Sequence, residues 1–377
     1  MINKFIDRIS PFIVMDILAK ARTMPDVIHM EVGEPDLPPS EKVTAAYIRA
    51  VRDGKSHYTP AKGLMELREK IAGHYHRKYG VTLSPERIIV TPGTSGAFMV
   101  IFAIVTDGGR RLLLSDPSYP CYKNFALFLK TEPLFAGIGP DTQYEMVPDA
   151  LVPKADIGAV VVSSPANPVG NLYRPETMEG LIARAAARGC FFVSDEIYHG
   201  LVYDRREQSA LEFSDDVIVV NGFSKSFCMP GYRLGWMVLP DNMVRTAEII
   251  IQNIFIAAST PAQYAALEAF DDAYLTSVRE TFRERRDFLY GELKGLVTID
   301  AVPDGAFYIW ADISRFGKDS MEFCRELLEK KSVAVTPGID FGSNRTGNYV
   351  RFAYTQDMAR LREGVARIRE FLDSLKQ

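Results

Sequence analysis

The chain has 377 residues, 47% hydrophobic and 24% charged, with a net charge of −4. That length holds one large or two ordinary domains, and the composition is that of a folded soluble protein and excludes disorder. The slight negative charge excludes bulk attraction to nucleic acid or an anionic membrane. The apolar runs at 97–105 and 249–258, the second broken by a Gln-Asn pair, fall short of the ~18 residues of a membrane span.

The N-terminal MINKFIDRISPFIVMDILAKA predicts an amphipathic helix, with Ser10 as N-cap and Pro11 at its first position. Asp16 and Lys20 interrupt its apolar stretch and no small-residue cleavage site follows, unlike a secretory signal. Charge spacing predicts a helix over 65–79. A strand is predicted at 87–90, a buried helix at 97–105, strands at 111–114 and 157–162, a helix at 178–188, and strands at 190–193 and 217–220. Strand alternating with helix predicts an α/β large domain, residues 45–270, with a mainly parallel sheet between helices. After Pro261 the pattern changes to a long polar helix over 263–294, strand-like pieces at 305–310 and 349–354, and helices over 320–331 and 357–375. Residues 271–377, with the segment 1–44, read as a smaller α+β domain.

Four cysteines, Cys121, Cys190, Cys228 and Cys324, lie far apart with no CxxC, a pattern without a zinc signature that fits a reducing cytoplasm. His74 and His76, two apart on a predicted helix, point away from each other and offer no shared metal site.

The segment NGFSKSFCMPGYRLGW (221–236) sets Lys225 on a loop straight after a buried strand. A lysine acts covalently as a neutral amine that forms a Schiff base with a carbonyl. Pyridoxal phosphate is a carbonyl cofactor with four further needs: an anion site, a carboxylate for its ring nitrogen, a flat partner for its ring, and polar groups at its phenolic oxygen. Each has a candidate after a predicted strand, where α/β proteins place their chemistry. TPGTSGAF (91–98) turns into an apolar helix whose N-terminal N–H groups, with the Thr94 and Ser95 hydroxyls, suit a phosphate. Arg233 adds a guanidinium fork and Ser224 a hydroxyl. Asp195 in FFVSDEIYHG is the carboxylate, with Glu196 as the competing choice and helix capping as the plainer role. Tyr198, three residues on, can reach the phenolic oxygen, Asn167 in SSPANPVG ends a strand where Asn-Pro is also a plain turn signal, and Tyr119 in DPSYPCY offers a ring. Gly54-Lys55-Ser56 lacks the upstream glycine of a phosphate loop, and Gly93-Thr94-Ser95-Gly96 ends in Ala97 where a nucleophile elbow needs glycine.

VGEPDLP (32–38), HYTPAKGLMELREKIA (57–72), TPGTSGAF, DPSYP, SSPANPVG, SDEIYHGLVY, FSKSFCMPGYRLGW and YVRFAY (349–354) occur in one order along nearly the whole chain. In this it resembles the class I/II aminotransferases, fold-type-I pyridoxal-phosphate enzymes, and their bacterial aspartate aminotransferase branch above all. The resemblance implies that Lys225 carries the internal aldimine and moves the proton between substrate Cα and cofactor. Asp195 would hold the pyridinium, Asn167 and Tyr198 the phenolic oxygen, Tyr119 the ring, and Thr94, Ser95, Ser224 and Arg233 the phosphate. Arg351 would bind the substrate α-carboxylate, helped by Asn167 and the Gly33 backbone. Tyr58 would reach the phosphate of a neighbouring subunit, which implies a homodimer with shared active sites. The implied reaction is ping-pong transfer of an amino group from an L-amino acid to a 2-oxo acid. The alternative on the same fold is a lyase, either a C–S β-lyase or one of the cyclopropane-carboxylate synthase kind. The chain departs from some relatives in one respect: helix 97–105 is wholly apolar and supplies no lysine for a second substrate carboxylate. Arg22 is the one replacement considered, against its reading as a solvated helix-end charge. His199 reads as a substrate contact or as a packing residue.

Overall fold

The computed structural model describes residues 3–106, 109–151 and 156–375. Helix α1 (Ile13–Ala21) and the short strand β1 (Ile28–His29) lead into α2 (Glu41–Arg52) and α3 (Met65–Tyr79). The central part runs β2 (Ile88–Thr91), α4 (Gly93–Val105), β3 (Arg111–Asp116), α5 (Pro120–Phe128), β4 (Leu134–Gly137), β5 (Ile157–Ser163), α6 (Pro175–Ala187), β6 (Phe191–Asp195), β7 (Ile218–Gly222) and β8 (Gly235–Val238). The rest forms α7 (Asp241–Ile254), α8 (Thr260–Ala266), α9 (Asp272–Leu293), β9 (Tyr308–Asp312), α10 (Ser320–Lys331), β10 (Val333–Ala334), β11 (Thr336–Pro337), β12 (Tyr349–Ala353) and α11 (Met358–Ser374).

Seven strands pair in the order β2-β8-β7-β6-β5-β3-β4. β8 is antiparallel to both neighbours and the other pairs are parallel. β2 therefore runs in the direction of β7, and the strands that precede the candidate residues all end on the same edge. Alternation places Val160 and Val162 in one core cluster and Ala159 and Val161 in another, so both faces of the sheet are covered. This is why the central strands read as unbroken apolar runs rather than alternating ones.

A second unit holds the antiparallel sheet β11-β12-β9 and the parallel pair β1-β10. Phe282, Phe307, Ile309, Phe323, Val350, Phe352 and Ile368 share its core. β12 is the central strand, and its Arg351 lies opposite Thr336 on one side and Trp310 on the other.

Four expectations change. Ser10 does not cap the first helix. That helix starts at Ile13, and Asp340 accepts from the Ile13 and Val14 N–H groups at 3.1 and 3.3 Å, a cap supplied from across the fold. The long polar helix is two, because Asp271 accepts from the Ala273 and Tyr274 N–H groups and starts α9 anew. The strand expected from 305 begins at Tyr308, since Ala306 has φ +58°, outside the extended region. Strands β4 and β8 went unpredicted, β8 because its GWMV follows a glycine-rich loop that reads as continuing. Among the described residues no helix is long and apolar enough to cross a membrane.

Candidate active site

The strand-end edge of the large sheet and the edge of the smaller unit enclose a cavity of about 250 Å³. Every predicted site residue lines it except Tyr58, which is 78% exposed on the loop after α2.

Lys225 follows β7 and is half-buried, its amine donating to the Gly33 carbonyl at 2.6 Å. Loss of water lowers its pKa to about 8. Arg351 and Arg233 push the same way, against Glu34 and Asp195. The amine is still mostly protonated near physiological pH, but about a tenth to a fifth of it is neutral, far more than for an ordinary lysine.

Asp195 ends β6 and is buried. Burial raises its pKa to about 6, opposed by a hydrogen bond from the Tyr122 hydroxyl, one from the Ile197 N–H, and the Lys225 charge. It does bond a following N–H, as a cap would, and it also faces the cavity. Glu196 is excluded as the alternative: its carboxylate accepts from Ser209 Oγ at 2.9 Å and the Ala210 N–H at 2.8 Å, away from the cavity. Burial raises its pKa to about 8.

The start of α4 has no side-chain cap among the described residues, and Thr94 and Ser95 of its first turn line the cavity. Gly93 has φ +67°, and a Cβ there would stand 2.8 Å from Arg233 Nη2. Glycine is needed both for the turn out of β2 and for the close approach of the guanidinium. Arg233, itself at φ +53°, and Ser224 complete a cationic, donor-rich corner suited to an anion.

Arg351 is buried. It donates to Asn167 Oδ1 at 2.8 Å and to the Glu31 carbonyl at 2.6 Å, with Thr336 Oγ1 at 3.3 Å. Its guanidinium lies 4.1 Å from the centre of the Tyr308 ring, and its Nε has no partner among the described residues. Tyr308 also exchanges a 2.8 Å hydrogen bond with Tyr198, and a Cβ on Gly33 would fall 2.1 Å from the Tyr308 hydroxyl. Tyr119 meets Tyr122 edge-on at 5.3 Å and lines the cavity.

Sequence reasoning missed Tyr122 and Tyr308. Tyr122 sits in the same DPSYPCY motif as Tyr119, a signal that was available. Tyr308, inside an apolar strand, gave none. His199 does not line the cavity. It bonds the Ser164 carbonyl and Tyr79, and burial lowers its pKa to about 4. Arg22 is exposed at the C-cap of α1 and does not line the cavity either, so it offers no second cation there. Burial raises the Cys228 thiol to about 11. Among the described residues no cluster is arranged to hold a metal ion.

The chain that carries this amine, buried carboxylate, anion corner and buried arginine has close relatives. The profile of the family "Aminotransferase class I and II" matches residues 25–368. The chain is 38% identical to the (5-formylfuran-3-yl)methyl phosphate transaminase of Methanocaldococcus jannaschii, over 99% of this chain and 100% of that one. It is 35% identical to the valine–pyruvate aminotransferase of Mycobacterium tuberculosis, over 97% of both. The crystal structure of an aminotransferase from Mycobacterium tuberculosis superposes with a TM-score of 0.94 at 35% identity, covering 98% of each chain. The chain belongs to the class I and II aminotransferases. It is a transaminase, and the lyase alternative is not favoured.

Proposed function

We propose that this transaminase uses pyridoxal phosphate, works as a homodimer in the cytoplasm, and moves an amino group from an L-amino acid to a 2-oxo acid in two half-reactions. The observation that carries this is the shared cavity: Lys225, with its pKa lowered to about 8, lies in one space with Asp195, Arg233 and Arg351. The residues fit the cofactor. Asp195 would hold the proton on the ring nitrogen, a charge that would offset the cost of burying its carboxylate. The α4 start, Thr94, Ser95, Ser224 and Arg233 would hold the phosphate, Asn167 and Tyr198 the phenolic oxygen, and Tyr119 the ring face. Pyridoxal phosphate, when bound, supplies an aldehyde for the amine and an electron sink for the substrate Cα.

The protein's own groups do the rest. Arg351, steadied by Asn167 and the Glu31 carbonyl, binds the α-carboxylate of donor and acceptor alike, with the Gly33 backbone beside it. Lys225 Nζ takes the Cα proton of the donor and later returns one to the Cα of the acceptor. The donor loses an amino group and a hydrogen and gains a carbonyl oxygen, the acceptor does the reverse, and no outside oxidant is needed. Tyr58, an exposed aromatic, would complete the phosphate site of the partner subunit.

Absorbance spectroscopy tests this. Adding an amino acid should exchange the visible band of the bound aldehyde for that of the amine form, and a 2-oxo acid should restore it. Steady release of ammonia with no such exchange would overturn the proposal.

A further inference from the structure

One wall of the cavity has no part in holding the cofactor or the α-carboxylate. It comes from α1, which puts Val14, Met15 and Leu18 on the cavity, with Phe12 just before the helix. Residues 14, 15 and 18 fall on one helical face by spacing. Phe12 packs edge-on against Tyr119, centroids 6.3 Å apart, which joins the wall to the ring proposed to lie over the cofactor.

Among the described residues three cations line the cavity, Lys225, Arg233 and Arg351, and each has a task already. The other basic groups of the α1 segment are turned elsewhere. Lys20 pairs with Glu329, and Arg22 is exposed past the helix end. The charges nearest the helix start are acidic: Asp340 holds its first N–H groups, with Asp16 close enough to act on it electrostatically. Glu34 lines the cavity as well. Among the described residues of this chain, a second substrate carboxylate would face hydrocarbon with no cation left to pair it.

We infer that the α1 wall is the subsite for the substrate side chain, and that both partners in the reaction are monocarboxylic with uncharged, mainly apolar side chains. The inference rests on the transaminase reading and adds the substrate class. The donors are amino acids such as valine, leucine, methionine or phenylalanine, and the acceptors 2-oxo acids such as pyruvate.

The test has two arms on the cofactor-loaded enzyme. In the first, kcat/KM is measured for leucine, valine and phenylalanine against aspartate and glutamate. The uncharged donors should lead by about 100-fold, since a buried unpaired carboxylate is strongly disfavoured. Dicarboxylates within about 10-fold of leucine, or ahead of it, would overturn the subsite and leave transamination standing. Met15 is 54% exposed, so Met15→Arg is tolerated sterically. It should raise the aspartate-to-leucine ratio by about 10-fold or more, and an unchanged ratio removes α1 from the subsite. The second arm needs no turnover: calorimetry with 4-methylpentanoate and with maleate. Binding of the first over the second supports the subsite, and the reverse order overturns it. If no amino acid reacts at all, the catalytic reading fails and calorimetry alone decides the subsite.

Discussion

Arg351 and Asn167, 184 residues apart in sequence, are joined by a 2.8 Å hydrogen bond across the cleft between the two sheets. The bond orients a buried guanidinium whose Nε has no partner among the described residues. Asn167→Ala should therefore raise KM for amino acids of every kind and lower kcat/KM about 10- to 100-fold, the worth of one hydrogen bond to a charged group. Arg351→Ala should cost about 1000-fold, again across all donors and acceptors. Steady-state kinetics on a panel of donors checks both. A loss confined to one donor would mean that Arg351 reads a side chain.

Lys225→Ala should lower kcat at least about 1000-fold while the circular dichroism spectrum stays that of the parent. The cofactor-free protein offers a second check. The folded pKa of Lys225 is about 8, below the usual lysine value. The unfolded chain thus holds a proton that the folded one has lost between about pH 8 and 10.4, and stability rises across that window. Below pH 8 the whole cost is present. Lys225→Met, freed of it, should be more stable than the parent at pH 7 by about 2 kcal/mol, allowing for screening around a half-buried side chain. The gain should vanish near pH 10.5. Denaturant titrations at the two pH values would show an equal gain at both if the amine were not the cause.

Asp195 has the opposite sign. Its folded pKa of about 6 lies above the usual carboxylate value, so its ionisation favours the unfolded chain. The stability it contributes is present below about pH 4 and lost as pH rises through 6. Asp195→Asn should therefore stabilise the cofactor-free protein above pH 6 and leave it unchanged below pH 4, while lowering kcat about 1000-fold in the loaded enzyme. Tyr122→Phe removes one donor to the same carboxylate and should weaken cofactor binding about 10-fold. Fluorescence titration with pyridoxal phosphate measures that change, and unaltered affinity would show that the Tyr122 bond does not matter to the cofactor.

If Tyr58 serves the partner's cavity, two inactive variants should complement. In a hybrid of Lys225→Ala and Tyr58→Ala subunits, one site lacks both residues and the other has both. Unfolding and refolding the mixture should recover activity approaching about half that of the parent per hybrid dimer. No recovery would place Tyr58 in its own subunit's site or outside any site.

The strand-end residues were legible in sequence because each follows an apolar run and begins a turn of small or polar residues. Period and turn chemistry are local, and Lys225, Asp195, Asn167 and Thr94 depend on little else. Asp195 and Glu196 show the limit: one ends β6 and the other follows it, and only the fold decides which of the two carboxylates meets the cavity. Tyr308 reads as core because its strand is core, and nothing local shows that its ring meets Arg351 and its hydroxyl Tyr198. The cap on α1 was assigned to Ser10 by local rule, whereas Asp340 reaches it from more than three hundred residues away.

That distant cap has a mechanical consequence. Ser10 is fastened to Asn124 in the middle of α5, beside the large sheet, through bonds in both directions, while Ile13 and Val14 are fastened to Asp340 in the smaller unit. Only two residues lie between the anchors, and a trans chain over those three residue steps extends no more than about 11 Å. While both hold, the N-terminal segment is a tether of fixed reach that limits how far the two units can gape, and a peptide-bond cut between Ser10 and Ile13 would release the roof of the cavity without touching any residue that lines its floor.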